Sequence, residues 1–201
     1  MLLAVSDAIL ALACLWAGWT LLTEEATGPG RLLAASILAL AIPSALGALH
    51  FAGWEPAWLT ILHQDASDLY ALLGFAFVAV ALFLMPGTRR APWVVGIAVL
   101  LVGALVLAGH KALVGPISSL FILAGSLSLL WRTTGRARLW LGLSMLGVVL
   151  AAVTRVPGLL GPDARIIGLH LGLALWVAAL AAGVRGYSSP ADRMVSISRA
   201  V

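Results

Sequence analysis

The chain has 201 residues, of which 62% are hydrophobic and 10% charged, with four histidines, one cysteine and a formal net charge of +4. An ordinary soluble domain carries roughly 25% charged residues, so a globule of this composition would leave much apolar area in water, and the bilayer is the matching solvent. The basic residues are spread over short loops instead of forming one patch, which argues against nucleic acid as a partner, and the lone Cys14 cannot form an intramolecular disulfide.

An apolar helix needs about 20 residues to cross the hydrocarbon layer. The first run, Val5 to Leu22, has no basic leader and holds Asp7, so it reads as a retained helix and not as a signal peptide. The second, Arg31 to Phe51, contains Pro43, which is predicted to kink it. A polar stretch from Phe51 to Gln64, with His63 inside it, reads as a loop before the third run, Asp65 to Met85. The fourth and fifth, Pro92 to His110 and Pro116 to Trp131, open on prolines that suit a first helical turn. Arg138 to Thr154 and Asp163 to Val184 complete the set, with Asp163 placed to cap the last helix. The expectation is an all-α polytopic membrane protein of about seven transmembrane helices over residues 1–185, followed by a polar cytoplasmic tail at 186–201.

Orientation follows from lysine and arginine. Nine arginines (31, 89, 90, 132, 136, 138, 185, 193 and 199) fall on one side of such a bundle, against Lys111, Arg155 and Arg165 on the other. Cytoplasmic loops carry the basic excess, which predicts an amino terminus outside, a carboxy terminus inside and residence in a bacterial inner (plasma) membrane. Trp54, Trp58, Trp93, Trp131 and Trp140 lie at the expected interfaces and read as belt anchors.

With this topology all four histidines fall in the outer half, together with Asp7, Asp65 and Asp68. An ionisable group among membrane helices is costly unless paired, solvated or bound to a metal, and is a functional candidate by default. On the second segment Ser36, Pro43, Gly47 and His50 share a stripe; on the fourth, Gly96, Gly103 and His110 recur at intervals of seven. Small residues mark helix contacts in membranes, so both histidines are expected to point inward. Asp7, Ala11, Cys14 and Gly18 form a similar face on the first segment; Ser144, Gly147, Ala151 and Thr154 form one on the sixth. Gly168 and Gly172 flank His170 on the seventh. Three imidazoles and a carboxylate are what a catalytic zinc uses, which makes His50, His110 and His170 the expected ligands and Asp7 and Asp68 the expected proton-handling groups. His63, Asp65 and Lys111 receive no role; a lysine outside the seventh segment argues against a retinal Schiff base.

A histidine ending the second helix, an aspartate opening the third and a histidine early in the seventh resemble the CREST superfamily of membrane hydrolases, which includes alkaline ceramidases and adiponectin-receptor-like proteins. The resemblance implies a zinc-dependent amidase of lipids, with His50, Asp68 and His170 matching the family's positions. The family's second histidine on the last helix is replaced here, since Ile166 and Ala174 occupy the turns next to His170, and His110 is the expected substitute. The leading expectation is therefore a zinc hydrolase acting on a lipid-like amide or ester from outside, with membrane lipids as partners. The alternatives are a transporter or sensor using the histidines and aspartates as a proton relay or ligand pocket, and a bis-histidine haem protein for electron transfer.

Overall fold

The computed structural model describes residues 1–24, 27–54, 56–85, 91–109, 111–156 and 158–187. Among these the chain is all-helical, with no strand. The helices are α1 (Leu2–Glu24), α2 (Gly28–Phe51), α3 (Ala57–Leu69), α4 (Phe75–Leu84), α5 (Ala91–Leu107), α6 (Lys111–Arg132), α7 (Gly135–Val153) and α8 (Pro162–Tyr187). A π-helical stretch, Tyr70–Gly74, joins α3 to α4 in one rod. Five of the rods are long and apolar enough to cross a membrane: α1, α2, α3 with α4, α7 and α8.

Each apolar run of the sequence is occupied by a helix, but two boundaries move. The third rod begins at Ala57, not Asp65, so His63 lies in a helix and not in a loop. Pro56, in extended backbone at φ −65° and ψ 141°, starts it. Thr60, His63, Gln64 and Asp65 lower the hydropathy of its first turns and hide them from a search for apolar runs. The fifth run begins at Lys111, which puts Pro116 in the second turn. Asp163 stands in the first turn of α8, where its charge complements the helix dipole.

Large apolar side chains cover the outside, among them Leu100 at 74% exposure and Leu139 at 70%. No aqueous solvent suits such a surface, and these features together define a helical membrane protein. Trp54, Trp58, Trp93, Trp131 and Trp140 are exposed, whereas Trp176 is buried. Several buried hydroxyls bond back along their own helices: Ser44 Oγ donates to the Leu40 carbonyl at 2.9 Å and Ser144 Oγ to the Leu141 carbonyl at 2.8 Å. This satisfies polar groups that find no water in lipid.

The first and last helices lie side by side and in the same direction. Asp7 on α1 meets His170 on α8 near one end, and Glu24 meets Arg185 at the other, with Arg185 Nε 2.6 Å from Glu24 Oε2. The α1 face Asp7, Ala11, Cys14 and Gly18 is buried, as its spacing predicts. So are Ser144, Gly147 and Ala151 of α7, which pack on α8. The stripe on α5 behaves differently: Gly96 and Gly103 are exposed, and a methyl group added to either would touch nothing within 4 Å. The expectation that this face points into the bundle is overturned.

The backbones of α7 and α8 approach each other closely. A Cβ at Gly147 would stand 2.6 Å from the Trp176 amide nitrogen and 2.8 Å from the Gly172 carbonyl oxygen. Both neighbours are backbone and cannot swing aside. Gly147→Leu is expected to destabilise the protein by about 3 kcal/mol or more, the upper end of overpacking costs. Thermal unfolding in detergent measures it; an unchanged midpoint would show that the helices tolerate separation here.

Candidate functional site

Asp7, His63 and His170 meet around one cavity of about 120 Å³ between α1, α2, the α3–α4 rod and α8. Its polar lining includes Asp7, Ser44, His63, Tyr70, Arg155 and His170. Each side chain arrives by ordinary helical spacing. Asp7 sits on the buried stripe of α1, and His170 is two turns into α8. His63, Ser67 and Tyr70 recur at i, i+4 and i+7, which puts them on one face.

Hydrogen bonds define how the two lining imidazoles are held. Ser6 Oγ donates its single proton to the Leu3 carbonyl at 2.8 Å. The same oxygen lies 3.3 Å from His170 Nδ1, so in that contact the imidazole nitrogen must donate. Asp7 Oδ1 is also 3.3 Å from His170 Nδ1, within ion-pair distance of the ring when it is protonated. His63 Nδ1 lies 3.0 Å from the Pro43 carbonyl oxygen, which can only accept. Both rings therefore carry a proton on Nδ1, and in their neutral form both keep a lone pair on Nε2.

Two further polar atoms are sealed in without hydrogen-bond partners: Asp7 Oδ2 and the Tyr70 hydroxyl. Asp7 is 1% exposed and Tyr70 6%. A buried polar atom without a protein partner costs roughly 1–3 kcal/mol, and two such atoms stand here beside two imidazoles. Gly47 makes room for the group. A Cβ there would lie 2.8 Å from Asp7 Oδ2 and 2.9 Å from His63 Cε1, which puts α2 backbone between the carboxylate and the ring.

The residues named from the sequence are distributed unevenly. Asp7 and His170 come together. His50 ends α2 and stacks on His63, with ring centroids 6.0 Å apart, and its Nδ1 is buried without a hydrogen-bond partner. Asp68 and Asp65 are exposed on α3, and the cavity takes Ser67 instead. His110 lies outside the described residues. Among the described residues no group of three or more His, Cys, Asp or Glu side chains is arranged to hold a metal ion. Of the expected zinc ligands within the described residues, His50 stacks on His63 while His170 lies beside Asp7 and Ser6.

Arg155, in the turn between α7 and α8, closes the cavity. Burial lowers the guanidinium from its ordinary value, yet an arginine stays cationic at neutral pH. A second, largely apolar cavity of about 370 Å³ adjoins it and shares Phe75, Arg155, Leu169 and Leu173.

The π-helical stretch shapes this region. A π-bulge is rare in helices and frequent at functional sites. Here it turns Tyr70 inward, where its ring lies edge-on to Phe75 at 5.2 Å and against Gly74. Phe75 in turn lies 6.0 Å from Trp176.

No family model matches the chain, and comparison with curated proteins and with solved structures gives no match.

Two substitutions separate packing from polarity here. Gly47→Ala pushes a methyl between Asp7 and His63 and is expected to destabilise by about 1–3 kcal/mol. Tyr70→Phe removes a hydroxyl that has no partner and is expected to leave the unfolding midpoint unchanged or raised. Differential scanning fluorimetry of both variants checks this; a Tyr70→Phe protein less stable than Gly47→Ala would reverse the assignment.

Proposed function

We propose that the protein is a seven-span membrane protein of a bacterial inner membrane, with its amino terminus outside, and that it exchanges protons through its outer cavity as a proton-coupled transporter. The parallel contact of α1 and α8 supports an odd number of crossings, and the nine-to-three arginine and lysine count supports the orientation.

One observation carries the functional reading. A buried carboxylate and two imidazoles held by their Nδ1 protons line a single cavity, with a carboxylate oxygen and a phenol left unpaired. Carboxylate and histidine chains inside membrane bundles are how pumps and transporters relay protons. A proton arriving at His170 Nε2 makes an imidazolium beside Asp7, which stabilises it; a proton leaving restores the neutral ring. Pro43 within α2 and the π-helical turn opposite supply two places where the helices can bend around the site.

In sealed liposomes carrying a pH-sensitive dye, the reconstituted protein is expected to dissipate an imposed proton gradient. Asp7→Asn and His170→Gln are each expected to slow this at least tenfold, while Asp68→Asn, on an exposed position, leaves it unchanged. Equal flux in wild type, Asp7→Asn and His170→Gln would refute the proposal.

The zinc-hydrolase reading retains one observation, the buried and unpartnered Nδ1 of His50 beside His63. It requires stoichiometric zinc in purified protein, lost on His50→Ala and on His170→Ala, which elemental analysis reads directly.

A further inference from the structure

The larger cavity carries a separate conclusion. It lies between α4, α6, α7 and α8, and its walls are Phe75, Leu123, Val148, Leu169, Leu173 and Trp176. Its rim reaches the outside of the bundle, since Leu120 is 66% exposed and Ala152 is also exposed. That outside is the face which a membrane protein turns to acyl chains. Contacts between α6 and α7 are far sparser than between α7 and α8, so the opening is a gap between neighbouring helices and not a shaft leading to water.

Only one charged residue lines this cavity among the described residues, and it is Arg155. No carboxylate pairs with the guanidinium among them. A second guanidinium is near, because Arg165 Nη2 donates to the Arg155 carbonyl oxygen at 3.3 Å. An apolar slot open to lipid, with one guanidinium and no acid on its walls, is complementary to a molecule that is mostly hydrocarbon and ends in an anion. Arginine suits such a terminus because its planar fork matches a carboxylate in two parallel hydrogen bonds.

We infer that this cavity binds a single-chain amphiphile with an anionic headgroup, of which a long-chain fatty acid is the simplest, taken laterally from the bilayer between α6 and α7. The chain lies among Phe75, Leu173 and Trp176, and the headgroup rests on Arg155 at the boundary with the histidine cavity. The inference is independent of proton exchange: it stands on the apolar cavity and Arg155, not on Asp7 or His170.

Radiolabelled palmitate binding to the full chain in phosphatidylcholine nanodiscs tests it, with hexadecanol as the uncharged counterpart and empty nanodiscs as the measure of partitioning. Saturable palmitate binding above the empty-disc level is expected. Arg155→Gln should weaken palmitate at least tenfold and leave hexadecanol unaffected. Ala152→Phe, at an exposed position that tolerates bulk, should block the opening and remove binding of both. Palmitate retention no greater than in empty nanodiscs, or palmitate affinity unaltered in both variants, would overturn the inference. Proton flux is read in a different assay, so either conclusion can fail alone.

Discussion

The arrangement depends on the parallel docking of the first helix against the last. Within lipid the apolar exteriors of two helices gain nothing by meeting, because the acyl chains are as apolar as they are; small residues and polar contacts must supply the attraction. Here Asp7 and His170 fasten α1 to α8 near one end, while Glu24 and Arg185 fasten them at the other. The two contacts differ in kind. Arg185 and Glu24 are substantially exposed, and such pairs contribute little. Asp7 is buried, and isolating it would leave a polar group without compensation. The buried contact therefore matters more, and it is also where the cavity forms.

Everything else at the site is arranged around that pair. The α2 backbone approaches the carboxylate because position 47 has no side chain, and the Pro43 carbonyl turns His63 toward the same space. The π-helical turn presents Tyr70 to the cavity and Phe75 to the partition between the two cavities. Packing of α8 on α7 through Gly147 and Gly172 holds His170 at a fixed height. A polar chamber and an apolar one thus share a wall, and Arg155 belongs to both.

Much of this was legible in the residues alone, for physical reasons. Hydrocarbon thickness imposes a run length that few other constraints imitate, so the long apolar helices stand out, and the small-residue faces of α1 and α7 follow from helical spacing. What escaped were features of local polarity. The early turns of α3 are polar enough to resemble a loop, which concealed His63, although the recurrence His63, Ser67, Tyr70 was the signal that could have revealed it. Gly96 and Gly103 misled in the opposite direction: small residues at regular intervals resemble a packing seam even where nothing packs on them. Asp68 has the carboxylate a proton-handling role needs, but one position away Ser67 has the inward-facing register. Which imidazole nitrogen holds the proton is set by Ser6, Leu3 and Pro43, partners that no spacing rule identifies.

The distance along the chain between Ser6 and His170, 164 residues, has a bearing on biogenesis. A nascent chain threads into the membrane from its amino terminus, so α1 is embedded long before α8 is synthesised. Until then the carboxylate of Asp7 has no imidazole beside it and no closed chamber around it. The chamber is completed only once α8 has inserted beside α1, so the burial of Asp7 waits on the assembly of helices made far apart in time.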